Sequence, residues 1–504
     1  MSFWGRFITV SVILYVILTI AFCAYMYVRE KNNVNSKTLF FGTGSHPLVL
    51  LIGTVAASFS SWVLTGGPSV GFTGGMNYVL WVIMYQAGIY CMIGYLAPRV
   101  VCLARGGKFL TMADFFSSLY EKTPGILHHL IALICLLGVI PHLTAQMLAC
   151  GLIINVATES LIPQMWGAIF IALVVMTYML LGGFRGGSII ETFQGLLFLC
   201  VLWGGLFACF YAKRYGVVGL FNELNSYNEA LVRYQREGEG LWTMRYAISF
   251  TFILILGTNL NAGIFLRFLT AKDAKSVLNL TTRMPLMTGL FISVPACIMG
   301  AFALVLNNVA EVQSADVISF SLLSAIHPFW GVLVTLGILS AAMSTISGTF
   351  NLTSMIFTMD FAKRFIKGKD DSFYVKLGRV WIVFMAVIAI YMSLNTNSGV
   401  QLLMGLVTSF AIINLYPCIG TFMWPRATKA GIVSAMIVNM LLVCYFTITR
   451  MNPLGFTGGF WAFLAGVAVF VIVSLVTKPV PAEERAAFMK PLLDHKVREK
   501  TVVR

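Results

Sequence analysis

Two adjacent hydroxyls, Ser344 and Thr345, stand in the middle of an apolar run, with Ala341 one helical turn earlier on the same face as Ser344. Hydroxyls and backbone carbonyls are hard oxygen donors, and a hard cation needs several of them at once. The two hydroxyls, the Ala341 carbonyl and the carbonyls of Ala56 and Phe59 in a second, interrupted run would supply that set. The competing reading is local, because Ser and Thr in an apolar helix commonly bond back to a carbonyl of the preceding turn. Glu191 is an acid inside another apolar run. An acid in hydrocarbon is expensive and marks function by default, unless a base such as Arg185 pairs with it structurally. His142 and Gln146 are four residues apart and share a helical face. Together with Ser58, Thr258, Asn259 and Asn261, which fall in interrupted stretches, they make a candidate substrate pocket. The sequence offers no nucleophile–base pair, no phosphate-cradling loop and no Cys/His spacing of zinc type, so it reads as neither an enzyme nor a holder of any metal beyond a simple cation.

The elements that must carry these residues are set by composition. The chain has 504 residues, 59% hydrophobic and 11% charged, with a mean hydropathy of +0.87, whereas soluble domains carry about 25% charged residues. Apolar runs long enough to cross a hydrocarbon core of about 30 Å recur from end to end. They predict an all-α integral membrane protein of about thirteen transmembrane helices, at 7–27, 48–66, 76–98, 125–156, 163–183, 187–212, 246–266, 284–305, 329–360, 377–397, 399–424, 430–448 and 458–477. The first run is longer than a signal peptide's apolar core and lacks a small-residue cleavage site. The ten cysteines lie in or beside these runs and read as packing residues.

A net charge of +15 would suggest a nucleic-acid partner if the charge were clustered. With the N-terminus outside, most of the 34 Lys and Arg fall instead in inward-facing loops and the tail. The positive-inside rule then accounts for the balance, with the lipid bilayer as partner and no nucleic acid. It predicts a multi-pass protein of the plasma (inner) membrane, N-terminus outside and C-terminus cytoplasmic. One transmembrane unit is expected over 1–477 and a cytoplasmic tail over 478–504, too short to bury a core of its own. The tail reads as flexible or surface-lying. His46, His128, His129, His327 and His495, near run ends and loops, read as solvated or interfacial.

Two runs are interrupted at corresponding places, Ala56 to Pro68 and Gly257 to Gly263, five spans apart. Unwinding a membrane helix frees backbone groups that then need a ligand, ion or water. Matched breaks point to an inverted-repeat transporter with its site at the bilayer midplane. The alternative is a pair of small-residue packing faces. The first reading predicts a five-plus-five repeat over about 48–424, with one helix before it and two after.

Five segments carry a resemblance. Ala56 to Pro68 is one; Gly182-Gly183-Phe184-Arg185 with Glu191-Thr192-Phe193-Gln194-Gly195 is the second. Arg267 with Ala271-Lys272-Asp273-Ala274-Lys275 is the third. Ala341-Ala342-Met343-Ser344-Thr345-Ile346, in a helix closed by Asp360, is the fourth, and Trp424-Pro425-Arg426-Ala427-Thr428-Lys429-Ala430-Gly431 the fifth. In this order and spacing, over about 10–475, the chain resembles the sodium:solute symporters, nearest their pantothenate and proline branch.

The resemblance implies sodium-coupled symport of a small organic solute by alternating access. The cargo classes are an amino acid, a pantothenate-like acid or another monocarboxylate, with sodium as the co-transported ion. It makes Ala56, Phe59, Ala341, Ser344 and Thr345 the sodium site. Glu191 stands where the family has Asp, which in some members serves a second ion site or the ion path; the extra methylene separates a coupling role from direct ligation. Leu254, Thr258 and Ala262 replace the aromatic and Pro contacts of the proline branch, so the proline pocket is not expected to be copied. A sodium-coupled sugar or polyol carrier is the alternative, as is a solute-sensing receptor, although receptors of that kind carry an output domain.

Overall fold

The computed structural model describes residues 2–30, 60–104, 109–233, 243–270, 286–306, 314–396 and 398–502. Ala56, Ser58 and Phe59 lie outside the described residues, as do most of the expected span 48–66 and the loop 271–275. Among the described residues the regular structure is helical, with no strand.

Helix α1 (Phe3–Glu30) precedes the first break. Helix α2 (Gly66–Gly74) follows the break, α3 (Asn77–Ala104) crosses back, and α4 (Met112–Ser117) is a short loop helix N-capped by Thr111. Helices α5 (Ile126–Ala157) and α6 (Gln164–Lys213) come next. Where hydropathy divides two spans, α6 is one helical run holding the apolar stretches Gln164–Met179 and Ile189–Lys213. The second broken run gives α7 (Met244–Thr258) and α8 (Ala262–Thr270), and α9 (Val294–Phe302) is entered through a π-helical stretch, Leu286–Ser293. Helix α10 (Pro328–Ile356) continues through a π-helical turn, Phe357–Ala362. The chain then continues with α11 (Asp371–Asn395), α12 (Val400–Ala411), α13 (Leu415–Phe422), α14 (Lys429–Thr449), α15 (Gly458–Val476) and α16 (Ala482–Val502), and short unnumbered helices form over Val217–Tyr227 and Ile318–Ile326.

Ten helices among the described residues are long and apolar enough to cross a membrane, so the all-α membrane fold expected from hydropathy is what forms. The spans expected at 163–183 and 284–305 appear as shorter apolar helices, Gln164–Met179 and Thr288–Phe302. Their burial separates centre from periphery. The apolar window of the span containing α10 is 78% buried, and those of α1, α11 and α15 only 28% each. Helix α10, which carries Ser344 and Thr345, is therefore the central post, packed against α5, α6 and α1. Its wall is built of small residues, Ala341, Ala342, Ser340 and Ser347, all buried. Small side chains let membrane helices approach closely where no hydrophobic driving force remains between them.

Helix α2 is held by contact of backbone with backbone. A Cβ on Gly71 would sit 1.8 Å from the Cys297 carbonyl oxygen, and one on Gly300 would sit 1.9 Å from that of Pro68. No side chain fits there, so α2 and α9 cross as a fixed pair.

The tail, expected to be flexible or surface-lying, takes the second form, and one histidine expectation changes. The tail segment folds as α16 and docks: Arg485 donates to the carbonyls of Gly420 (2.8 Å) and Thr421 (3.2 Å) at the end of α13, where helix carbonyls lack intrahelical partners. Phe488 packs beside Phe109 and Phe115. His128, read from its place near a run end as solvated or interfacial, is fully buried, because α4 folds back over the start of α5.

Candidate functional site

The described part of the first break begins at Ser60. Ser60 adopts φ 40, a left-handed conformation uncommon for a side-chain-bearing residue, and a 3-10 turn over Ser61–Val63 precedes α2. A turn this irregular exposes amides. The Ser61 amide donates to the Gln146 Oε1 of α5 at 3.0 Å, with Gln146 fully buried. Gln146 thus reaches the break. His142, one turn earlier, is half-buried, and its Nε2 is a buried atom with no hydrogen-bond partner.

In α10 the oxygens of the expected cation site converge. Ser344 Oγ and Thr345 Oγ1 each lie 3.0 Å from the Ala341 carbonyl oxygen, and all three residues are buried. As hydrogen bonds these are the local back-bonds weighed above. Each of these two separations is also near the spacing of neighbouring cation ligands, which at right angles and about 2.4 Å from a hard cation lie about 3.4 Å apart. Each hydroxyl that donates to Ala341 keeps its lone pairs free.

Glu191 is brought to the same helix one turn on. Ser347 Oγ donates to Glu191 Oε1 at 2.5 Å and lies 3.2 Å from the Ser344 carbonyl oxygen. Tyr178 of α6 donates to the Met343 carbonyl at 2.9 Å. Arg267 interacts electrostatically with Glu191 and stands in α8. Acid, hydroxyls and carbonyls therefore form one polar seam between α6 and α10.

The second break falls where the sequence places it, between Thr258 and Ala262. Its side chains largely serve the break itself. Thr258 Oγ1 donates to Leu254 O at 2.6 Å, and Asn261 Oδ1 accepts from the Gly263 amide at 2.9 Å. The Asn259 amide nitrogen donates to Ile89 O of α3 at 3.1 Å, while its Oδ1 is a buried atom without a partner.

Several groups at the site escaped the sequence reading. Ser347 stands three residues beyond Ser344, a same-face spacing that could have shown it. Trp62 Nε1 donates to Gln401 Oε1, and Gln401 Nε2 donates to the Tyr78 hydroxyl at 2.9 Å. That chain joins the first break to α12 and α3; its members are 16 and 323 residues from Tyr78, and no local pattern joins them.

This architecture has known counterparts. The sequence profile described as the sodium:solute symporter family matches residues 41–439. The osmoregulated proline transporter OpuE of Bacillus subtilis is 26% identical over 492 residues, covering 93% of this chain and 96% of that protein. A sodium/proline symporter of Staphylococcus aureus is 25% identical over 524 residues, covering 98% and 96%. In fold, the chain superposes on a substrate-bound, outward-open sodium-coupled sialic acid symporter with a TM-score of 0.73 at 15% identity, covering 95% of this chain and 99% of that one. A nucleobase–cation symporter, Mhp1, follows at a TM-score of 0.52 and 13% identity, covering 87% and 96%. The family is one of transporters, which agrees with the lack of enzyme chemistry read from the sequence. With the first break packed against the helix that carries Ala341, Ser344 and Thr345, and a profile match spanning most of its length, the chain belongs to the sodium:solute symporter family and couples a small solute to co-transported sodium.

Proposed function

We propose that the cargo is a small monocarboxylate-bearing or zwitterionic solute, an amino acid or a pantothenate-like acid, carried with sodium by alternating access. The proline transport named for the two relatives supports the amino-acid class. So does the site's charge inventory. Ser61, Gln146, His142 and the Trp62–Gln401–Tyr78 chain offer amides, hydroxyls and ring nitrogens. A doubly charged solute would meet little to pair it and would face a severe desolvation penalty. One carboxylate can be met by amides freed at a broken helix and by the positive end of the half-helix.

Sodium is held, in this reading, by the Ala341 carbonyl and the Ser344 and Thr345 hydroxyls, with the carbonyls of Ala56 and Phe59 completing the set. The single observation that carries it is the convergence of both hydroxyls on Ala341 O at 3.0 Å inside the most buried span. Glu191, held by Ser347, tunes coupling or a second ion step. The termini lie outside (N) and in the cytoplasm (C), in a plasma or inner membrane, with 1–477 as one transmembrane unit and 478–504 as its cytoplasmic extension.

Competition for sodium-dependent uptake among amino acids, pantothenate-like acids, sugars and polyols tests the cargo class. Inhibition by monocarboxylates is the expected outcome; inhibition by a sugar alone would overturn the pocket assignment. A cysteine introduced at the C-terminus that reacts with an impermeant reagent outside intact cells would overturn the topology.

A further inference from the structure

The loop helix α4, the start of α5 and the π-helical turn after α10 bring two carboxylates and an imidazole together, none of them assigned above to solute or sodium. Asp114, His128 and Asp360 each present one ligand atom, all within 4.8 Å of one another. Asp360 is 1% exposed and His128 0%, where an ionised carboxylate is costly unless something pairs it. The ring is fixed from one side, its Nδ1 lying 3.3 Å from the Ser117 hydroxyl. Its Nε2 lies 3.2 Å from Asp360 Oδ1 yet makes no hydrogen bond, and Asp360 Oδ2 is a buried atom with no partner. With the ring proton on the Ser117 side, Nε2 turns a lone pair toward a carboxylate oxygen. Two lone pairs that close repel, and a cation shared between them removes the repulsion. Tetrahedral ligands on zinc stand about 3.3 Å apart, close to this separation.

The neighbouring groups orient this donor set. Thr111 donates to Asp360 Oδ1 at 2.8 Å, and Ser117 holds the imidazole; hydrogen bonds of this kind fix metal ligands in place. Asp114 is the loosest of the three. Its Oδ1 accepts from Arg364 at 3.0 Å, its Oδ2 accepts from the Leu110 amide at 3.3 Å, and Oδ1 stands 3.8 Å from His128 Nδ1. On the six-residue α4 and 18% exposed, this carboxylate closes in by about 1 Å to complete a tetrahedral set. His129 borders the site, stacking on Phe365 and interacting with the Asp360 backbone and charge. Glu121 is committed to Lys429 at 2.6 Å. A cavity of about 10 Å³ lies beside Asp360, lined also by Thr111, Cys135 and Ala262, and gives room for about one water.

We propose that Asp114, His128 and Asp360 form a binding site for a divalent transition-metal ion of the zinc type. His128 Nε2 and one oxygen of each carboxylate hold the ion, and a water from the adjoining cavity takes the fourth position. One imidazole with carboxylates is a borderline donor set: it suits zinc or cobalt, whereas magnesium and calcium take oxygen ligands alone. The charges match, since two carboxylates meet a divalent ion and the neutral imidazole gives its free lone pair, so no proton has to leave. The competing reading, an imidazolium paired with Asp360, needs Nε2–H directed at Oδ1, and that alignment is missing. Entry is along Asp114 and Arg364, 18% and 40% exposed. Bound there, the ion ties α4 and α5 to the turn that ends α10. The three ligands come from separate segments, so no spacing in the sequence shows them, and the site goes beyond the simple cation expected there. It rests neither on the solute and sodium assignments nor on the orientation in the membrane.

Titration with cobalt(II) tests the site on the tag-free full chain, purified in detergent, stripped with EDTA and held in choline buffer without sodium or solute. One equivalent is expected to bind with the intense visible bands of four- or five-coordinate cobalt. Stoichiometric zinc should bleach those bands, and excess magnesium or calcium should not. X-ray absorption of the zinc-loaded protein is expected to show one imidazole with oxygens at about 2.0–2.1 Å. His128→Gln and Asp360→Asn should each weaken cobalt binding by about tenfold or more. Wild-type protein without the visible bands overturns the proposal whether or not the variants fold, and so does a zinc spectrum showing sulfur or several imidazoles. Binding undiminished in both folded variants overturns it too, by placing the ion elsewhere on the chain.

Discussion

Ser347 and Glu191 are joined by a hydrogen bond of 2.5 Å that ties the central helix α10 to α6, one turn beyond the Ser344 and Thr345 hydroxyls. The acid therefore meets the proposed ion site through a neighbouring hydroxyl, as a residue tuning coupling would. Glu191→Gln keeps an acceptor for Ser347 and removes the charge. Solute binding that still responds to sodium, with an altered transport rate, is the expected result. Complete loss of sodium-stimulated binding in a folded Gln variant would make Glu191 a direct ligand.

Gln146 holds the Ser61 amide at the first break. Gln146→Leu leaves that amide without its partner, and a lost buried hydrogen bond costs about 1–3 kcal/mol. The solute affinity of the variant is expected to fall by about tenfold, which corresponds to about 1.4 kcal/mol, with a smaller change in the sodium midpoint. Equilibrium binding of labelled amino acid at saturating sodium checks it. An unchanged affinity would place Gln146 outside the solute site.

Gly300 faces the Pro68 carbonyl where a Cβ would overlap it. Gly300→Val should part α2 from α9 and lower the unfolding temperature in detergent, by an overpacking cost of about 1–3 kcal/mol or more. Gly216→Val is the matched control, since a Cβ there meets nothing within 4 Å. Equal stability of the two variants would mean the crossing is looser than described.

Glu121 lies in the loop before α5, its side chain only 2% exposed. Desolvation pushes its carboxyl up, but the Lys429 ammonium and the amides of Leu127, Gly125 and His128 outweigh it and hold the pKa below the ordinary value. A group depressed in this way stabilises the fold above its unfolded-state pKa, and the gain is lost as pH falls through the folded one. Glu121→Gln is therefore expected to cost about 2 kcal/mol near neutral pH, with the difference from wild type closing on acidification. Thermal scans of both proteins across that range decide it, and a gap that widens in acid would contradict the assignment.

The sequence made some of this legible and not the rest, for physical reasons. Hydropathy announces membrane helices because every span must be apolar over its whole length. The second break was visible because Gly257, Thr258, Asn259 and Asn261 interrupt such a run, and the structure breaks there between Thr258 and Ala262. The cluster Ala341–Thr345 was visible because two hydroxyls share a turn with a small residue. Contacts across sequence distance were not. Nothing local ties Trp62 to Gln401, or His128 to Asp360, and the burial of His128 depends on how α4 folds over α5. The docking of Arg485 on α13 was hidden likewise, since a charged tail shows its composition and not its partners.

The central claim is that the Ala341–Ser344–Thr345 oxygens bind the coupling ion. Its most direct test is a sodium titration of thermal stability on purified protein, against choline at matched ionic strength, for wild type and for Thr345→Ala and Ser344→Ala. Binding raises apparent stability by mass action. Wild-type protein should be stabilised by sodium alone, and each variant should need more than about ten times as much sodium, the loss of one ligand being about 1.4 kcal/mol or more. Sodium midpoints unchanged in both variants would return these hydroxyls to the back-bonds they make with Ala341 and contradict the account.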